Sequence, residues 1–539
     1  MISQKSHTNP HGGGWFNREL KIFILFLGLI SFSNLIFSNN TFALFTPTLS
    51  ASVDQTNLQV NGNQVINSTN KTTEIPLNLT VNTNNKTGYT ATLNSETNET
   101  ALVNNDSSTN AKINSISNDL SLNNLPNNTW GYKFGASSNY APIPALSTPA
   151  QILQTAGKTN GNESSQLSIG MKLADSLESG NYTNKLILSF VSNPYTPIAI
   201  MTEGPDFNTK LKALGAATSK IEHFKKSNVV PTASMNAVNI EDEESDCEIK
   251  LWLDPTDKTA YYYTEPEKVY LNTDSSKMFH SEGIGSKLEY LFEIDVSNFD
   301  TSKVTDMHDM FFYKFYLTTL NLSNFDTSNV MDMNSMFYKV ANLRKLDLSS
   351  FDTSKVTDMH DMFYHMTSLA TLNFSNFDTS KVTDMAGMFN GIDSLNTLNL
   401  SNFDTSKVTN MAYMFGGMRC LTAIDLSSFD TSKVTDMHDM FYDMYDLITL
   451  DLSSFDTSQV TNMSGMFSID YLAWDDKLEK IYVKNDFDTS QLTHFSGMFK
   501  NRKKLRGGNG SFLADPSTAD KTWLRVDRPG VQGYFTRKP

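Results

Sequence analysis

The chain has 539 residues, of which 58 are acidic and 43 are Lys or Arg, and a formal net charge of −15. Its length exceeds what one hydrophobic core usually organises, so we expect several structural regions. The acidic balance argues against nucleic acid as a partner, because a phosphate backbone requires clustered basic side chains. Cys247 and Cys420 are the two cysteines, and no disulfide framework is predicted.

Residues 1–51 have the pattern of an export signal. Arg18 and Lys21 precede an apolar run over residues 22–37, and small residues follow at 41–43 and 50–52. The apolar run is shorter than the ~20 residues that span a bilayer comfortably. We therefore interpret this segment as a signal peptide, with an uncleaved membrane anchor as the alternative. Either way the rest of the chain would be extracellular, and only this segment would contact the membrane.

Residues 52–192 are rich in Asn, Thr and Ser and predict an all-β, sandwich-like domain. Apolar and polar residues alternate over residues 75–81 and again over 89–93, with turn residues between the two runs. This pattern predicts an antiparallel hairpin with one apolar face. Leu186, Leu188 and Phe190 predict a closing strand.

Residues 193–245 are interpreted as a linker. They contain several prolines and the acidic run at residues 241–244, and residues 211–225 have the pattern of a helix.

The second half of the chain is an internal repeat. The tetrapeptide Phe-Asp-Thr-Ser occurs eight times, and the first seven copies are 26 residues apart; the copies begin at Phe299, Phe325, Phe351, Phe377, Phe403, Phe429, Phe455 and Phe487. Self-similarity at such a period is typical of a solenoid, in which one unit is stable only when stacked on the next.

Each repeat changes its periodicity half-way. Leu346 and Leu348 alternate with polar residues, which predicts a short strand with one buried face. The next apolar residues have the spacing of a helical stripe and are Met359, Met362, Phe363 and Met366. The prediction is a right-handed strand/helix solenoid of 26-residue coils, with parallel strands about 4.8 Å apart.

Equivalent side chains of successive coils should stack in columns. The predicted leucine column is Leu320, Leu346, Leu372 and Leu398, and the predicted aromatic column is Phe325, Phe351, Phe377 and Phe403. The methionines are interpreted as core residues that pack beside phenylalanine.

Two repeated polar positions could bind a cation. The Asp of each Phe-Asp-Thr-Ser tetrapeptide either caps its own turn or belongs to a calcium ladder, and we favour the cap because a lysine usually follows and compensates the charge. His308, His360 and His438 share one position but lie two or three coils apart, so we interpret them as solvated residues. No metal and no cofactor is predicted.

The eighth repeat is longer, with 32 residues between Phe455 and Phe487. The extra length contains Tyr471, Trp474, Asp475 and Asp476. Insertions in solenoids form loops that often have a functional role. The alternative, which we favour, is that the insertion caps the exposed core of the terminal coil. The coils as a whole are assigned to residues 291–506.

The repeat Leu-x-Leu-Ser-x-Phe-Asp-Thr-Ser-Lys-Val-Thr-x-Met-x-x-Met-Phe resembles the 26-residue repeat of bacterial BspA-like leucine-rich-repeat surface proteins, over about residues 261–536. The resemblance implies that residues 246–290 form an N-terminal cap with an opening half-repeat and that residues 507–539 form a C-terminal cap. It also implies a cell-surface adhesin. No catalytic residues are associated with this repeat.

The residues themselves point away from an enzyme. The chain has no HExxH, P-loop or G-x-S-x-G motif, and its repeated carboxylates occupy equivalent environments, whereas acid-base catalysis needs two different ones. We predict a protein that binds a host or neighbouring-cell surface protein or a glycan. The alternative is a structural surface-layer or spacer protein without a specific ligand.

The predicted ligand-binding face consists of the outward positions on either side of the inward leucine of each coil. These residues are polar and form two columns. They are Thr319, Asn321, Lys345, Asp347, Thr371, Asn373, Thr397, Asn399, Asp425, Thr449 and Asp451.

Overall fold

The computed structural model describes residues 44–214, 220–470 and 476–538. The chain forms two compact units, which meet in sequence between Thr196 and Pro197. The predicted export segment lies outside the described residues, apart from its last eight positions. Within the described part of the chain, no helix is both long and apolar enough to cross a membrane.

The first unit consists of two β-sheets that share one core. Its strands are β1 (Leu49–Val53), β2 (Thr72–Thr83), β3 (Tyr89–Ser95), β4 (Leu102–Asn104), β5 (Lys112–Ser115), β6 (Thr129–Phe134), β7 (Ala150–Gln154), β8 (Glu163–Lys172), β9 (Tyr182–Thr183) and β10 (Leu186–Ser192). One sheet has the order β1-β2-β8-β6-β5-β4-β9 and the other β10-β3-β7. Helix α1 (Gly62–Ile66) and a 3₁₀ turn (Leu122–Asn124) connect strands. Buried apolar residues of both sheets form a single cluster.

The predicted hairpin of residues 75–93 is wrong. Strand β2 pairs with β1 and β8, whereas β3 pairs with β10 and β7 in the other sheet. The segment that connects β2 to β3 passes from one sheet to the other and contains the buried Asn85. The Nδ2 of Asn85 donates to the carbonyls of Gly88 and Asn193. An alternating strand buries one face whichever sheet it joins, so the pattern did not identify its partner.

Two further predictions concern the ends of this unit. The closing strand over Leu186, Leu188 and Phe190 is confirmed as β10. The predicted domain start at residue 52 is too late, because β1 begins at Leu49 and pairs with β2.

The second unit contains the repeats. Its strands are β11 (Ala199–Ile200), β12 (His223–Lys226), β13 (Val238–Asn239), β14 (Lys250–Asp254), β15 (Thr259–Tyr263), β16 (Val269–Tyr270), β17 (Glu293–Ile294), β18 (Phe299–Asp300), β19 (Lys345–Asp347), β20 (Thr371–Asn373), β21 (Thr449–Asp451), β22 (Lys480–Val483) and β23 (Phe535–Arg537). Helix α2 spans Gly204–Leu214, and short 3₁₀ turns span Ala233–Met235, Pro516–Thr518 and Lys521–Trp523. The strands pair in four small sheets, with orders β11-β16-β18, β13-β14-β15-β12-β17, β19-β20 and β21-β22-β23.

Most of the predicted linker belongs to this second unit. Helix α2 and strand β12 bury Phe207, Leu211 and Phe224 in the core that continues into the repeats. Strand β12 pairs in parallel with β15 and β17. The described residues of 197–245 therefore cover the first end of the array. Of the predicted helix over residues 211–225, residues 211–214 belong to α2, residues 223–225 belong to β12, and residues 215–219 lie outside the described residues.

Successive coils stack in register at the 26-residue period. Single parallel bridges join one position of each coil to the next, along Asp274, Asp306, Asp332, Asp358, Asp384, Asn410, Asp436, Asn462 and His494. Asp274 belongs to the predicted opening half-repeat, and Phe279 after it stacks on Phe311. At the other end, β23 of the predicted C-terminal cap pairs in parallel with β22.

The predicted helix of each coil is wrong. In the central coil the amides of Asp361, Phe363 and His365 donate to carbonyls of the next coil over 2.7–3.0 Å, and Tyr364 donates to Asp361 three residues back. Asp361 and His365 have positive φ angles. The segment is a run of tight turns that is hydrogen-bonded to the equivalent segment of the next coil. Such turns place every third or fourth side chain on one side, so their apolar spacing resembles that of a helix. No helix occurs among the described residues of 291–506.

The core of the array contains columns of buried Met and Phe. Nine phenylalanines from the Met-Phe pairs form a continuous stack with neighbouring ring centroids 5.2–6.0 Å apart, namely Phe279, Phe311, Phe337, Phe363, Phe389, Phe415, Phe441, Phe467 and Phe499. The predicted aromatic column is also buried, and Phe325 stacks on Phe351 with a centroid distance of 6.4 Å. Phe377 and Phe403 instead contact Phe374.

Candidate functional site

The predicted ligand-binding face is solvent-accessible. Nine of its eleven side chains are exposed, and Asn373 and Asp451 are half-buried. Its residues lie on six successive coils, so the face is polar and repetitive along the array.

The face is not the continuous strand ladder that the repeat predicts. Strand β19 pairs with β20, which places Lys345 beside Thr371 and Asp347 beside Asn373. Residues 319–321, 397–399 and 423–425 form no strand. In the predicted leucine column Leu346 is buried, whereas Leu320, Leu372 and Leu398 are partly exposed. Backbone bridges join every coil to the next on the turn side, whereas on the predicted ligand-binding face strands pair only between some coils.

One oxygen of each Asp or Asn in the second outward column is already bound. It accepts a hydrogen bond of 3.0–3.3 Å from the backbone amide two residues later, at Asn321, Asp347, Asn373, Asn399, Asp425 and Asp451. Hydrogen bonds from Ser349 hold the pKa of Asp347 below its usual value. An aspartate at such a turn keeps a second carboxylate oxygen, which at Asp451 pairs with Lys538. An asparagine keeps an amide donor, which at Asn373 is bonded to Asp347 Oδ1 over 3.0 Å.

A groove of about 150 Å³ opens between two coils of this face, where β20 has no strand neighbour on its far side. Asn373, Thr397 and Asn399 of the predicted face line it. Ser375, Ser401 and Asn402 complete the polar rim, and Leu372, Phe374 and Leu398 form the apolar part. The repeat pattern did not predict a groove, since it implies equal spacing between all coils.

The groove carries polar groups that the fold does not use. Thr397 Oγ1, Ser375 Oγ, Ser401 Oγ and Asn399 Nδ2 bind no other group in the described part of the chain. Asn402 Nδ2 donates to the carbonyl of Phe377 over 2.9 Å. Four donors therefore remain available to a ligand beside exposed leucine carbon atoms.

The Asp of each Phe-Asp-Thr-Ser tetrapeptide caps its turn, as predicted. Its Oδ1 accepts from the serine amide two residues later over 2.8–3.1 Å, at Asp300, Asp326, Asp352, Asp378, Asp404, Asp430, Asp456 and Asp488. The Ser354 amide holds the pKa of Asp352 below its usual value.

The following threonine has a role that the sequence did not reveal. Thr353 Oγ1 donates to the carbonyl of Asp378 and accepts from its amide, both over 2.8 Å. Thr379 repeats this contact with Asp404. Both threonines are buried. The threonine hydroxyl thus takes the place of a backbone hydrogen-bond partner between two coils. Its burial distinguishes this threonine from a surface threonine, and burial cannot be read from the sequence.

The three repeated histidines pair with aspartate on the turn side. The ring Nδ1 of His308, His360 and His438 lies 2.7–2.8 Å from the carboxylate two residues earlier. In the described residues, one group of side chains is close enough to hold a metal ion, namely Asp306, His308 and Asp332, whose ligand atoms lie within 4.8 Å of one another.

Neighbouring charges and burial shift two pKa values here in the same direction. The hydrogen bond to Asp358 raises the pKa of His360 to about 9, against the effect of burial. Burial raises the pKa of Asp361 to about 6, although His360 opposes this shift. Asp384 of the next coil faces both groups.

We predict that stability falls as pH rises from about 6.5 to 9. The folded-state pKa of about 9 for His360 lies above the usual histidine pKa of 6.5, so its stabilising pair is complete below pH 6.5 and is lost as pH rises through 9. The His360 side chain is 38% exposed, so after solvent screening we expect a change of about 1 kcal/mol.

His360→Asn is the matched variant, since Asn334 occupies the same position and donates to Asp332. Chemical denaturation of the full chain at several pH values would compare the two proteins. Equal pH dependence in both would mean that this histidine does not stabilise the fold through its charge.

A larger groove, of about 530 Å³, lies in the first unit. Glu96, Glu99 and Lys185 line it. Lys185 and Glu96 form an ion pair, with Lys185 Nζ 2.5 Å from Glu96 Oε1. Glu99 pairs with Lys112. No sequence pattern predicts this groove, because its residues come from separate strands and loops.

Comparison with known proteins relates the repeat region to one family. Residues 273–373, 365–480 and 421–517 match the model of a family described as "Mycoplasma protein of unknown function, DUF285". These matches cover somewhat less than half of the chain. No curated protein and no solved structure matches the sequence. The second half of the chain is thus similar to a repeat family whose function is not described.

Proposed function

We propose that this chain is an exported bacterial cell-surface protein whose stacked coils form an adhesive surface. In this proposal the coils are a right-handed, leucine-rich-repeat-like solenoid of the kind found in BspA-like surface proteins. The first unit, a β-sandwich-like domain, serves as a stalk. The partner is a protein or a glycan on a host or neighbouring cell.

The observation that carries the proposal is the repetition of exposed polar side chains on successive coils. Thr319, Thr371, Thr397 and Thr449 occupy one outward column and are all exposed. This face has few of the aromatic and Arg residues that dominate tight interfaces, so each contact should be weak. Weak contacts on a repeated surface add up to strong attachment when several are made together.

The surface location rests on residues 1–51, with two basic residues before an apolar run and small residues after it. Cell fractionation tests it. Recovery of the protein from the cytoplasm with residue 1 retained would contradict export.

We expect that removing whole coils weakens attachment stepwise. Deleting residues 325–350, or 403–428, removes one 26-residue period and leaves the 372–402 groove in place. Because coils contribute nearly independently in such an array, each deletion should reduce attachment to cells and the double deletion should reduce it by about tenfold or more. Attachment of labelled full-length and shortened proteins to candidate cells is the measurement.

Circular dichroism of each shortened protein provides the folding control. If folded proteins that lack two coils attach as well as the full array, or if none attaches, the repeats are a spacer and not an adhesive surface.

A further inference from the structure

We propose that the 372–402 groove binds one uncharged sugar ring of a cell-surface glycan. The inference rests on the proposed adhesive function and names the ligand class of that face. The other outward positions supply repeated weak contacts, and this groove supplies selectivity.

The charge of the groove excludes an ionic ligand as its best partner. None of the nine lining residues is charged, in a chain with a net charge of −15. The second outward column contains both Asn and Asp, and both members that flank the groove, Asn373 and Asn399, are Asn. Neighbouring coils have Asp347 and Asp425 at this position. A neutral ligand avoids the cost of desolvating an unpaired charge.

The chemistry of the lining matches a sugar. Thr397 Oγ1, Ser401 Oγ and Asn399 Nδ2 bind no other group among the residues that the structure describes. Hydroxyl and amide groups can both donate to sugar hydroxyls, and the hydroxyls can also accept from them. Leu372 and Leu398 are partly exposed and offer carbon surface to the C–H face of a ring. A few placed polar groups around an apolar surface are typical of small-ligand sites.

The size of the groove favours a single ring over an extended peptide. It has a volume of about 150 Å³ and lies between residues 372–375 and residues 397–402. A peptide that added a strand to β20 would need a groove along several residues, with pockets for alternate side chains. The lining spans one coil-to-coil step and ends at Asn402.

The geometry suggests a test that leaves the fold intact. Asn399→Asp keeps the side-chain oxygen that caps the Ser401 amide and introduces the residue present in four other coils, at Asp295, Asp347, Asp425 and Asp451. It removes the Nδ2 donor and adds a charge. Asn321→Asp is the matched control, since Asn321 caps Ser323 in the same way outside the groove. Thr397→Val is a second variant that removes only a hydroxyl.

The probes are methyl glycosides of neutral hexoses and N-acetylhexosamines, measured by saturation-transfer NMR with the full chain, and an array of immobilised neutral oligosaccharides. We expect at least one glycoside to bind weakly. Among the immobilised oligosaccharides, those that end in the same sugar should retain the protein. Asn399→Asp and Thr397→Val should each weaken binding by about tenfold, as expected for one lost hydrogen bond. Asn321→Asp should bind as the unchanged protein does.

Several outcomes would overturn the proposal: no neutral glycoside binds, Asn321→Asp loses as much as Asn399→Asp, or only extended peptides compete at the groove. These outcomes are separable from failure of the adhesive function. If the chain attaches to cells and coil deletions weaken attachment while both groove variants attach normally, the sugar site is wrong and adhesion stands.

Discussion

Replacing Phe389 by alanine is expected to lower the free energy of unfolding of the repeat unit by about 3–5 kcal/mol, the range for emptying a buried aromatic site. Phe389 is fully buried, and its ring stacks on Phe363 and Phe415 at 5.8 and 6.0 Å. It also contacts Phe374 and Phe403. The cavity would lie between coils that support each other only by stacking, so the loss cannot be confined to one coil.

Phe315→Ala is the matched control, because that side chain is 40% exposed. Its replacement should change stability by less than about 1 kcal/mol. Guanidinium unfolding of the full chain, followed by circular dichroism, is the measurement, with separate transitions fitted for the two units. A midpoint for Phe389→Ala no lower than that for Phe315→Ala would place the continuous ring stack outside the stabilising core.

Arg502→Met is expected to cost about 3–5 kcal/mol, because it leaves a buried carboxylate without its partner. Arg502 is buried at the end of the array, where its Nη1 lies 2.6 Å from Asp476 Oδ1. The guanidinium also donates to the carbonyls of Phe441, Met444 and Phe467. One side chain thus satisfies backbone oxygens of two different coils near the C-terminal end of the array.

The exposed pair of Arg528 and Asp486 provides the control for that experiment. Its two N–O contacts are 2.8 and 3.0 Å, as good as the buried pair, but both side chains are well exposed. Arg528→Met should therefore cost much less than Arg502→Met, because solvent screens an exposed pair. Asp476→Leu combined with Arg502→Met should recover part of the lost stability. Equal effects of the two Arg substitutions would show that Arg502 is not a structural cap.

The role of the insertion in the eighth coil follows partly from this contact. Asp476 belongs to the insertion and binds Arg502, which supports the predicted cap at that end. Tyr471, Trp474 and Asp475 lie outside the described residues.

Local patterns in the sequence were enough to predict the features that every coil repeats. The 26-residue period, the buried Met and Phe residues and the Asp turn caps all follow from short-range chemistry that is the same in each copy. Asp352, for example, caps an amide two residues away, so nothing outside its own turn decides that contact. The polar outward columns were predictable for the same reason, since alternation about a buried leucine assigns them to the other face.

Features that depend on a partner far away in sequence were decided by the tertiary structure alone. The spacing of Met359, Met362 and Phe363 fits a helix and a run of turns equally, and hydrogen bonds to the next coil select the turns. Strand β2 alternates as a hairpin strand would, yet its partners are β1 and β8. The choice of turns over a helix and the choice of partners for β2 both depend on the backbone hydrogen-bonding groups of an adjacent coil or strand. Hydrophobic periodicity carries no information about those groups.

The candidate site shows the same division. Its residue types and outward direction were determined by the sequence, because each is set within one coil. The groove between Asn373 and Asn399 was not, because it depends on how closely two coils approach. Phe374 lines this groove at a position where other coils have leucine, and its ring contacts Phe377, Phe389 and Phe403. Packing between coils is collective, so it appears only when the whole array is assembled.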